Sequence, residues 1–385
     1  MFRFRFSGQP LAMPTIDTLL VDRAPGETRV AALAGEQVVE VHYHHPGEPA
    51  ANAIYLGRTG KRLPDSSAVF VDIGHELPAF LNCGFKPPVE GSVIYVRIVQ
   101  PPRGRKGAKV AVVEEIEEAS PRQSIGLVKP APHPVQWCME YYGDKVEQIL
   151  VYPNDIDGLI KEQVSTTTVV DTWLGDGDLF DIYGVNEAIE RALDSVIVLD
   201  GGARLIIEQT AALTAVDIDA GPMKAADANL MALEELAIQL RIRAIAGPVI
   251  VDLIPSRNRT AAIAQMKQLI ADDPTPTRVS GLTPEGRLEI NRRRLRPTLA
   301  DLLLRPHGSR QPAPEAVAFE AVRRCVRAGL LAKSTRVVLA VHADVAVLFQ
   351  GRLRSALDDT RLALKIEIEI CMASECPLGY IDVQT

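Results

Sequence analysis

Three aspartates interrupt two otherwise apolar segments of this 385-residue chain. Asp217 and Asp219 lie in the segment ALTAVDIDAG, and side chains two residues apart on a strand face the same side. Asp252 ends a second apolar segment, GPVIVD. If the two segments are neighbouring strands, the carboxylates crowd together at one edge of a sheet and repel one another. A bound cation would offset that repulsion.

The types of these side chains indicate which cation and which chemistry to expect. With oxygen ligands only and no cysteine or histidine nearby, the set favours a hard ion, and few carboxylates with room for water suit Mg²⁺ better than Ca²⁺. Such an ion lowers the pKa of a bound water and offsets charge on a phosphoryl group, so the expected reaction is phosphodiester hydrolysis. The residues alone leave a second interpretation equally open, in which the aspartates cap strand ends or pair with nearby arginines.

Two basic segments are candidates for binding nucleic acid. The formal net charge is −7, so any phosphate-binding site must be a local patch. Residues 91–113 contain no acid, and residues 278–305 contain seven arginines and three acids. The glycine-rich segment PPRGRKGAK (101–109) has the composition but not the spacing of a phosphate loop, and we expect an exposed hairpin tip there. The sequence contains no nucleophile elbow, Walker loop or dinucleotide fingerprint.

The elements that position the aspartates are predicted by periodicity. Apolar residues recur at helical spacing between about Asp227 and Arg243, so strand, crossover helix and strand form a unit whose strands are expected to be parallel neighbours. Upstream, Asp200-Gly201-Gly202 between two apolar runs predicts a β-hairpin. Downstream we expect a helix over 260–272, then over 278–303 a strand and a basic helix around Arg292–Arg296. Further helices are expected at Val135–Gln148, Asp155–Gln163 and Val185–Leu193.

The remaining segments predict three further units. Short strand-like runs between residues 15 and 41 predict a small antiparallel sheet. Four or five more runs between residues 52 and 118 predict a small barrel, and the OB-fold is one such barrel that binds single-stranded nucleic acid. After a linker-like stretch at 307–314, the last residues predict helix, strand, helix and strand. The expected fold class is therefore α+β and multidomain.

Composition is that of a globular protein, with 47% hydrophobic and 24% charged residues, and the length fits two to four domains. The five cysteines lack the paired spacing of a zinc site or a disulfide framework and are interpreted as reduced thiols. No long apolar run and no secretory signal are found, so a cytoplasmic location is expected.

His42, His44 and His45 are close in sequence, but a polar strand end is favoured there over a metal site. Residues 1–12 are interpreted as an extension or a wrongly chosen start before Met13.

Three segments together resemble the catalytic region of the ribonuclease E/G family, in the family's order and at similar intervals: ALTAVDIDAG, ANLMALEELAIQLRIRAIAGPVIVDLI and VSGLTPEGRLEINRRRLRPTL. Upstream, AIYLGRTGKRLPDSSAVFVDIGHELPAFL and PRGRKGAKV resemble the family's S1-type OB domain. The resemblance implies four parts. They are an RNase H-like layer at 13–50 and 130–198, an S1/OB-type RNA-binding barrel at 51–120, a DNase I-like catalytic α/β domain at 199–303 and a small C-terminal α+β domain at 315–385.

The same resemblance implies an activity: Mg²⁺-dependent endonucleolytic cleavage of single-stranded RNA, leaving 5′-phosphate and 3′-hydroxyl ends, in RNA processing. Asp217 and Asp252 fall on the family's two magnesium-binding aspartates. Asp219 falls where the family usually has an asparagine that helps to hold the site, so it is expected to orient or join the ligands of the ion.

The barrel residues expected to bind RNA also come from the resemblance. Phe70, Phe80 and Lys106 fall on the positions by which the family's OB domain grips RNA near the scissile bond, and bases stack on aromatic faces of this kind. Arg103 and Arg105, which flank the same loop, are added as candidate RNA-binding residues. An alternative for the two phenylalanines is that they belong to the barrel core.

The sequence also departs from the family pattern. Met231 replaces an acid in the helix motif. Residues 304–314 lack the cysteines by which the family joins subunits through zinc, so the family's oligomeric state does not carry over directly, and a homodimer is one of several expected assemblies. The passage from about Glu114 to Pro134 is short and lacks the family's pocket for a 5′-monophosphate, which predicts cleavage indifferent to the 5′ end. The rival hypotheses are an RNA-binding protein that has lost catalysis and a phosphodiesterase acting on DNA or nucleotides.

Overall fold

The computed structural model describes residues 14–64, 67–84, 87–114, 124–153, 164, 168–256, 259–306, 309–332 and 335–385. Within these ranges the chain forms several β-sheets with helices packed on them, which confirms the α+β prediction. No helix in these ranges is long and apolar enough to cross a membrane. The predicted helix at Asp155–Gln163 lies outside the described residues.

The first sheet combines an N-terminal antiparallel meander with two later strands. Strands β1 (Thr18–Ala24), β2 (Glu27–Ala34) and β3 (Gln37–His44) pair in sequence order. Strands β10 (Gln148–Tyr152) and β11 (Val169–Thr172) extend the sheet on the β1 side, both parallel to β1. The meander was predicted from sequence, whereas the two parallel strands were not.

Three helices border this sheet. They are α1 (Pro134–Tyr142), α2 (Leu179–Ile182) and α3 (Val185–Leu193). The prediction for α3 is confirmed, but the prediction that the first helix continues to Gln148 is wrong. That helix ends at Gly143, which has a positive φ, and Gln148 begins strand β10, whose central residues Ile149, Leu150 and Val151 are all buried.

A five-stranded barrel is inserted between β3 and α1. Its strands are β4 (Ile54–Arg62), β5 (Ala68–Asp72), β6 (Ala79–Asn82), β7 (Val93–Gln100) and β8 (Lys109–Val112). They close in the order β4-β5-β6-β8-β7-β4, with β6 and β8 parallel, and β9 (Gly126–Lys129) adds to the outside of β4. The predicted barrel is therefore confirmed.

Buried aliphatic side chains fill the barrel, and one glycine permits a close approach of two backbone segments. A Cβ atom on Gly107 would lie 1.9 Å from the carbonyl oxygen of Pro78. No side chain fits at that distance, so glycine is required where the chain enters β8. This requirement explains part of the glycine-rich composition of segment 101–109 without invoking phosphate binding.

A six-stranded sheet, called here the central sheet, carries the three aspartates. Its strands are β12 (Val196–Val198), β13 (Arg204–Gln209), β14 (Thr214–Asp219), β15 (Gly247–Asp252), β16 (Thr277–Leu282) and β17 (Leu288–Arg292), in the order β12-β13-β14-β15-β17-β16. The predicted hairpin corresponds to β12–β13, and β14 and β15 are parallel neighbours as predicted.

One face of the central sheet is covered by two helices. Helix α4 (Ala225–Ile242) is the crossover between β14 and β15, and α5 (Arg259–Leu269) follows β15. Leu233 and Leu236 of α4 join the buried cluster that also contains Val216 of β14 and Val251 of β15. The same cluster includes Val21 of the first sheet, so the two sheets share a core. The opposite face of the central sheet carries the aspartates.

The predicted basic helix around Arg292–Arg296 is wrong. Arg292 ends strand β17, residues 293–298 are irregular, and a short helix α6 begins only at Leu299 (Leu299–Leu303). Arg292 lies 2.9 Å from Asp273 and donates a 2.9 Å hydrogen bond to the carbonyl of Ile245. These partners are distant in sequence, so Arg292 makes internal contacts that no local sequence pattern predicts.

A buried ionic cluster fixes α4 against the first sheet. The Glu40 carboxylate is fully buried and accepts hydrogen bonds from Arg241 Nε at 2.8 Å and the Tyr142 hydroxyl at 3.1 Å. Arg296 approaches it to 3.6 Å, and His42 Nε2 lies at 2.9 Å. Burial raises the pKa of Glu40, but Arg241, His42 and Arg296 outweigh it and hold the pKa well below its usual value. Burial and Arg296 lower the pKa of His42 to about 4.

The C-terminal unit is a three-stranded sheet with three helices. It contains α7 (Pro314–Ala332), β18 (Arg336–Val341), α8 (Ala343–Gln350), α9 (Arg354–Leu364), β19 (Glu367–Met372) and β20 (Ile381–Gln384), with the strands in the order β19-β18-β20. The predicted order of helix, strand, helix, strand omitted the break at Gly351 and the last strand. Arg323 of α7 pairs with the buried Glu27 of β2, so this unit docks on the first sheet.

Arg241→Met should destabilise the unit formed by the first sheet and α4 by about 3–5 kcal/mol, because it leaves the buried Glu40 carboxylate without its main partner. Urea unfolding followed by the fluorescence of Trp137, whose ring lies 4.9 Å from His42, measures this. Because the pKa of Glu40 is lowered from 4.5 in the folded chain, the stabilisation is present above about pH 4.5 and is lost as the pH falls through the lower, folded value. Arg354→Met, which removes an exposed pair with Asp358, is the control and should cost at most about 0.5 kcal/mol. Equal losses for the two variants would contradict this account.

Candidate metal site and nucleic-acid surface

The pairing of β14 with β15 brings Asp217 and Asp252 together. Alternate side chains of β14 are buried, so Val216 and Ile218 enter the core and Asp217 points to the open face. In the parallel register Asp217 lies directly opposite Asp252, which is also exposed. Adjacent strands are about 4.8 Å apart, so the two carboxylates are neighbours on one surface.

These two carboxylates are suited to a hard divalent cation. Among the described residues, neither makes an ion pair or a side-chain hydrogen bond, so their repulsion is not offset by an arginine or lysine of that part of the chain. No group of three or more histidine, cysteine or acidic side chains within the described ranges could hold a metal. Mg²⁺ is bound in proteins by one or two carboxylates together with waters and substrate phosphates, so two aspartates on an open surface fit it.

Asp219 faces the same side as Asp217 but is engaged with other groups. Arg204 of β13 lies opposite it in the register, and Nε of Arg204 donates to Oδ2 of Asp219 at 3.1 Å. The other carboxylate oxygen accepts the backbone N–H of Gly221 at 3.0 Å. The hydrogen bond from Arg204, followed by that from Gly221, lowers the pKa of Asp219. Sequence reasoning missed Arg204, because only the register of the hairpin places it there.

Phe70 and Phe80 lie on the outside of the barrel. They are direct cross-strand partners of β5 and β6, with ring centroids 6.2 Å apart in an edge-to-face arrangement. Phe70 is 42% exposed, whereas its neighbours Val69 and Val71 fill the barrel interior. The alternative interpretation, in which Phe70 belongs to the barrel core, is therefore wrong. Phe80 is half-buried beside it, so the pair presents an aromatic surface to solvent.

The hairpin at 103–106 places its basic side chains in two environments. Backbone hydrogen bonds of 3.0 Å in both directions join Arg103 and Lys106, and Arg105 and Lys106 are exposed at the tip. Arg103 instead turns toward the central sheet, where its guanidinium lies 3.5 Å from both Asp301 and the carbonyl oxygen of Thr210. Arg105 and Lys106 remain candidates for contacting RNA, and Arg103 links the barrel to the sheet.

A basic cleft of about 720 Å³ lies between the barrel and the central sheet. Its residues from the barrel are Gln100 and Lys109, and those from β16, β17 and nearby segments include Arg278, Asn291 and Arg293. No acidic side chain lines it. The segment 278–305 was expected to bind nucleic acid through a helix, but the cleft presents side chains of a β-hairpin instead.

This cleft is continuous with the face that carries the aspartates. Arg278 pairs in register with Asn291, which pairs with Pro248 of β15. Pro248 and Asp252 are four residues apart on the same strand and face the same side, a separation of about 13 Å. A chain lying in the cleft can therefore reach the carboxylates along the surface of one sheet.

The remaining histidine and cysteine candidates have structural roles in the described residues. His42 belongs to the buried Glu40 cluster, and His45 stacks on Phe319 with ring centroids 4.6 Å apart. The five cysteines are free thiols. Cys371 and Cys376, which are five residues apart in the sequence, have no third metal ligand in the described chain.

Comparison with known proteins finds similarity to one family of ribonucleases. The sequence model of the Ribonuclease E/G family matches residues 109–295. Ribonuclease G of Salmonella typhimurium (strain SL1344) is 24% identical over 469 residues, covering 91% of this chain and 96% of that protein. Ribonuclease G of Haemophilus influenzae is 26% identical over 448 residues, covering 86% of this chain and 90% of that protein. Ribonuclease E of Escherichia coli is 23% identical over 386 residues, covering 71% of this chain and 36% of that protein. The chain is thus similar to members of the ribonuclease E/G family, whose sequence model covers just under half of it.

The alignments also indicate a difference in size. The alignment with the Salmonella protein is 469 positions long, although only 91% of this 385-residue chain enters it. That relative therefore contains segments without a counterpart here. Part of the short passage predicted to lack a 5′-monophosphate pocket, residues 115–123, lies outside the described residues.

Asp217→Asn should leave the metal-free protein as stable as before or stabilise it by up to about 1 kcal/mol, because two like charges directly opposite one another destabilise a sheet. Thermal unfolding in EDTA measures this. Asp219→Asn is the matched control and should instead lower the melting temperature slightly, since it removes an exposed ion pair. A clear loss of stability for Asp217→Asn would mean that the carboxylate is a structural partner after all.

Proposed function

We propose that this chain is a Mg²⁺-dependent endoribonuclease, which hydrolyses phosphodiester bonds of single-stranded RNA to 5′-phosphate and 3′-hydroxyl ends and acts in RNA processing. The observation that carries the proposal is the parallel register that sets Asp217 beside Asp252 on an open, unpaired surface. The names of the relatives, Ribonuclease G and Ribonuclease E, support the same reaction class.

Asp217 and Asp252 are the residues that would hold the ion. Mg²⁺ there would lower the pKa of a bound water and offset negative charge on the scissile phosphodiester. The sheet contributes rigidity, because each aspartate is flanked by fully buried neighbours such as Val251, and neither carboxylate must be drawn away from another partner in the described chain. The two side chains are therefore already positioned before RNA binds.

Positioning of the RNA falls to the barrel and the cleft. Bases stack on the exposed aromatic surface of Phe70 and Phe80, a contact that tolerates any base. Arg105 and Lys106 at the hairpin tip and Arg278 in the cleft neutralise backbone phosphates. A single strand can follow these groups to the aspartates, whereas a stacked duplex does not offer its base faces to an aromatic surface. Indifference to the 5′ end stays a prediction of this proposal.

The sheet orders support the proposed division into domains. The order β11-β10-β1-β2-β3 suits an RNase H-like layer, and the closed barrel suits an S1-type OB domain. The central sheet with α4 and α5 is assigned to the DNase I-like catalytic domain, and α7 to β20 form the small C-terminal domain. A cytoplasmic location remains part of the proposal, and a homodimer remains one of the arrangements expected from the resemblance.

The test is cleavage of a labelled single-stranded RNA by the purified full chain. We expect cleavage with Mg²⁺ and none with EDTA, and we expect Asp217→Asn and Asp252→Asn each to lower the rate at least about a hundredfold, because several kcal/mol of transition-state stabilisation depend on the ion. RNA binding measured in EDTA should be retained by both variants. Binding without cleavage by the unmodified protein would favour the rival function, an RNA-binding protein without catalysis, and full activity of either variant would remove the metal assignment.

Phe70→Ala should weaken binding of single-stranded RNA by about 1–3 kcal/mol without lowering the melting temperature, because an exposed ring that stacks on a base is lost. Fluorescence anisotropy in EDTA measures the affinity. Val69→Ala, one residue away and buried, gives the matched control: about 2 kcal/mol of stability should be lost while the folded protein binds RNA as before. If the two variants exchanged these effects, Phe70 would be a core residue.

A further inference from the structure

Arg204 lies on the open face of the central sheet beside the two metal-site aspartates. On β13 it is the direct cross-strand partner of Asp219, and the next outward-facing residue, Ile206, is the partner of Asp217. Asp219 and Asp217 are two residues apart on β14, a distance of about 7 Å along the strand. Arg204 is thus separated from the metal site by a single carboxylate, to which it is bonded.

Both oxygens of that carboxylate are already engaged. Arg204 donates to Oδ2 of Asp219, and the backbone N–H of Gly221 donates to Oδ1. A ligand oxygen must turn a lone pair toward the ion, and the hydrogen bonds from Arg204 and Gly221 hold Asp219 in a different direction. Asp217 and Asp252 have no such partners in the described chain.

The pairing also sets the charge of the site. Two unpaired carboxylates balance a divalent cation, so a phosphodiester meets a neutral site. A third unpaired carboxylate would leave one negative charge beside the scissile phosphate, and charges about 7 Å apart on an exposed surface still interact. An arginine in register with Asp219 removes that charge.

We propose that Arg204 is a positioning residue of the catalytic site, which holds Asp219 away from the metal and leaves two carboxylates, rather than three, to face the cation and the RNA phosphate. The inference rests on the proposed function. Arg204 is needed because it neutralises the charge of Asp219, and Asp219 is needed because it neutralises the charge of Arg204. Either residue alone is therefore worse than neither.

The experiment measures metal binding and cleavage separately in three variants of the full chain: Arg204→Gln, Asp219→Asn and the double variant. Binding of Mn²⁺ to RNA-free protein, followed by electron paramagnetic resonance of the free ion, gives the first readout, since Mn²⁺ suits the same oxygen ligands as Mg²⁺. Mg²⁺-dependent RNA cleavage gives the second. Arg336→Gln, which removes an exposed arginine paired with Glu369 on the C-terminal sheet, is the matched control.

Arg204→Gln should bind Mn²⁺ about threefold to tenfold more tightly, because Asp219 becomes a free third carboxylate, and should cleave RNA about tenfold more slowly. Asp219→Asn should bind Mn²⁺ about threefold to tenfold more weakly, since an unpaired guanidinium then lies near the ion. In the double variant the two opposite changes in Mn²⁺ affinity should cancel, and the cleavage rate should recover to within about twofold of the unmodified protein, which is the non-additivity expected of a coupled pair. The control variant should change neither.

Two results would overturn the proposal. Unchanged Mn²⁺ affinity in Arg204→Gln and Asp219→Asn would make the pair a surface ion pair without a role at the site. A double variant that cleaves RNA more slowly than Arg204→Gln alone would show that the two residues act independently. These results differ from a failure of the proposed function, in which the unmodified protein binds no Mn²⁺ that depends on Asp217, and in that case the inference falls with it.

Discussion

Two carboxylates in register on adjacent parallel strands are electrostatically unfavourable, and the arrangement of the central sheet imposes this pair. The crossover helix α4 makes β14 and β15 parallel, the buried Val216 and Val251 fix which side chains point outward, and Asp217 and Asp252 then lie opposite one another. Their repulsion is the feature that a divalent cation relieves. The chemistry proposed for the chain therefore follows from a constraint of the backbone rather than from a mobile loop.

The rest of the molecule holds RNA-binding groups at fixed distances from that pair. The Glu40 cluster joins α4 to the first sheet, and the barrel inserted in that sheet meets the central sheet through Arg103, which reaches the carbonyl oxygen of Thr210 just after the end of β13. The cleft between barrel and sheet is basic because its walls come from two segments that are each rich in arginine or lysine. The net charge of −7 is compatible with this, since the positive charge is concentrated where a polyanion would lie.

Local patterns predicted the strand–helix–strand unit, because alternation and helical spacing follow directly from which side chains must be buried, and the pairing of Asp217 with Asp252 follows from parallel strands. The closed barrel was predictable for the same reason. What failed depended on contacts distant in sequence: the arginine run was taken for a helix, although Arg292 is tied to Asp273 and Ile245 across the fold. Pairing of an aspartate with an arginine was one of the two interpretations left open, but Arg204 could not be identified as the partner of Asp219 because a hairpin register cannot be read from composition. The two phenylalanines of the barrel were predicted only from the family resemblance. Their orientation toward solvent was established only by the structure.

The most direct measurement of the central claim is anomalous diffraction from crystals of the full chain soaked in Mn²⁺, without RNA. The account predicts a single strong peak on the open face of the central sheet, within bonding distance of a carboxylate oxygen of Asp217 and one of Asp252, with Asp219 still bonded to Arg204. The peak should vanish in Asp252→Asn. A peak held by other residues, or none on this face at millimolar Mn²⁺, would contradict the account.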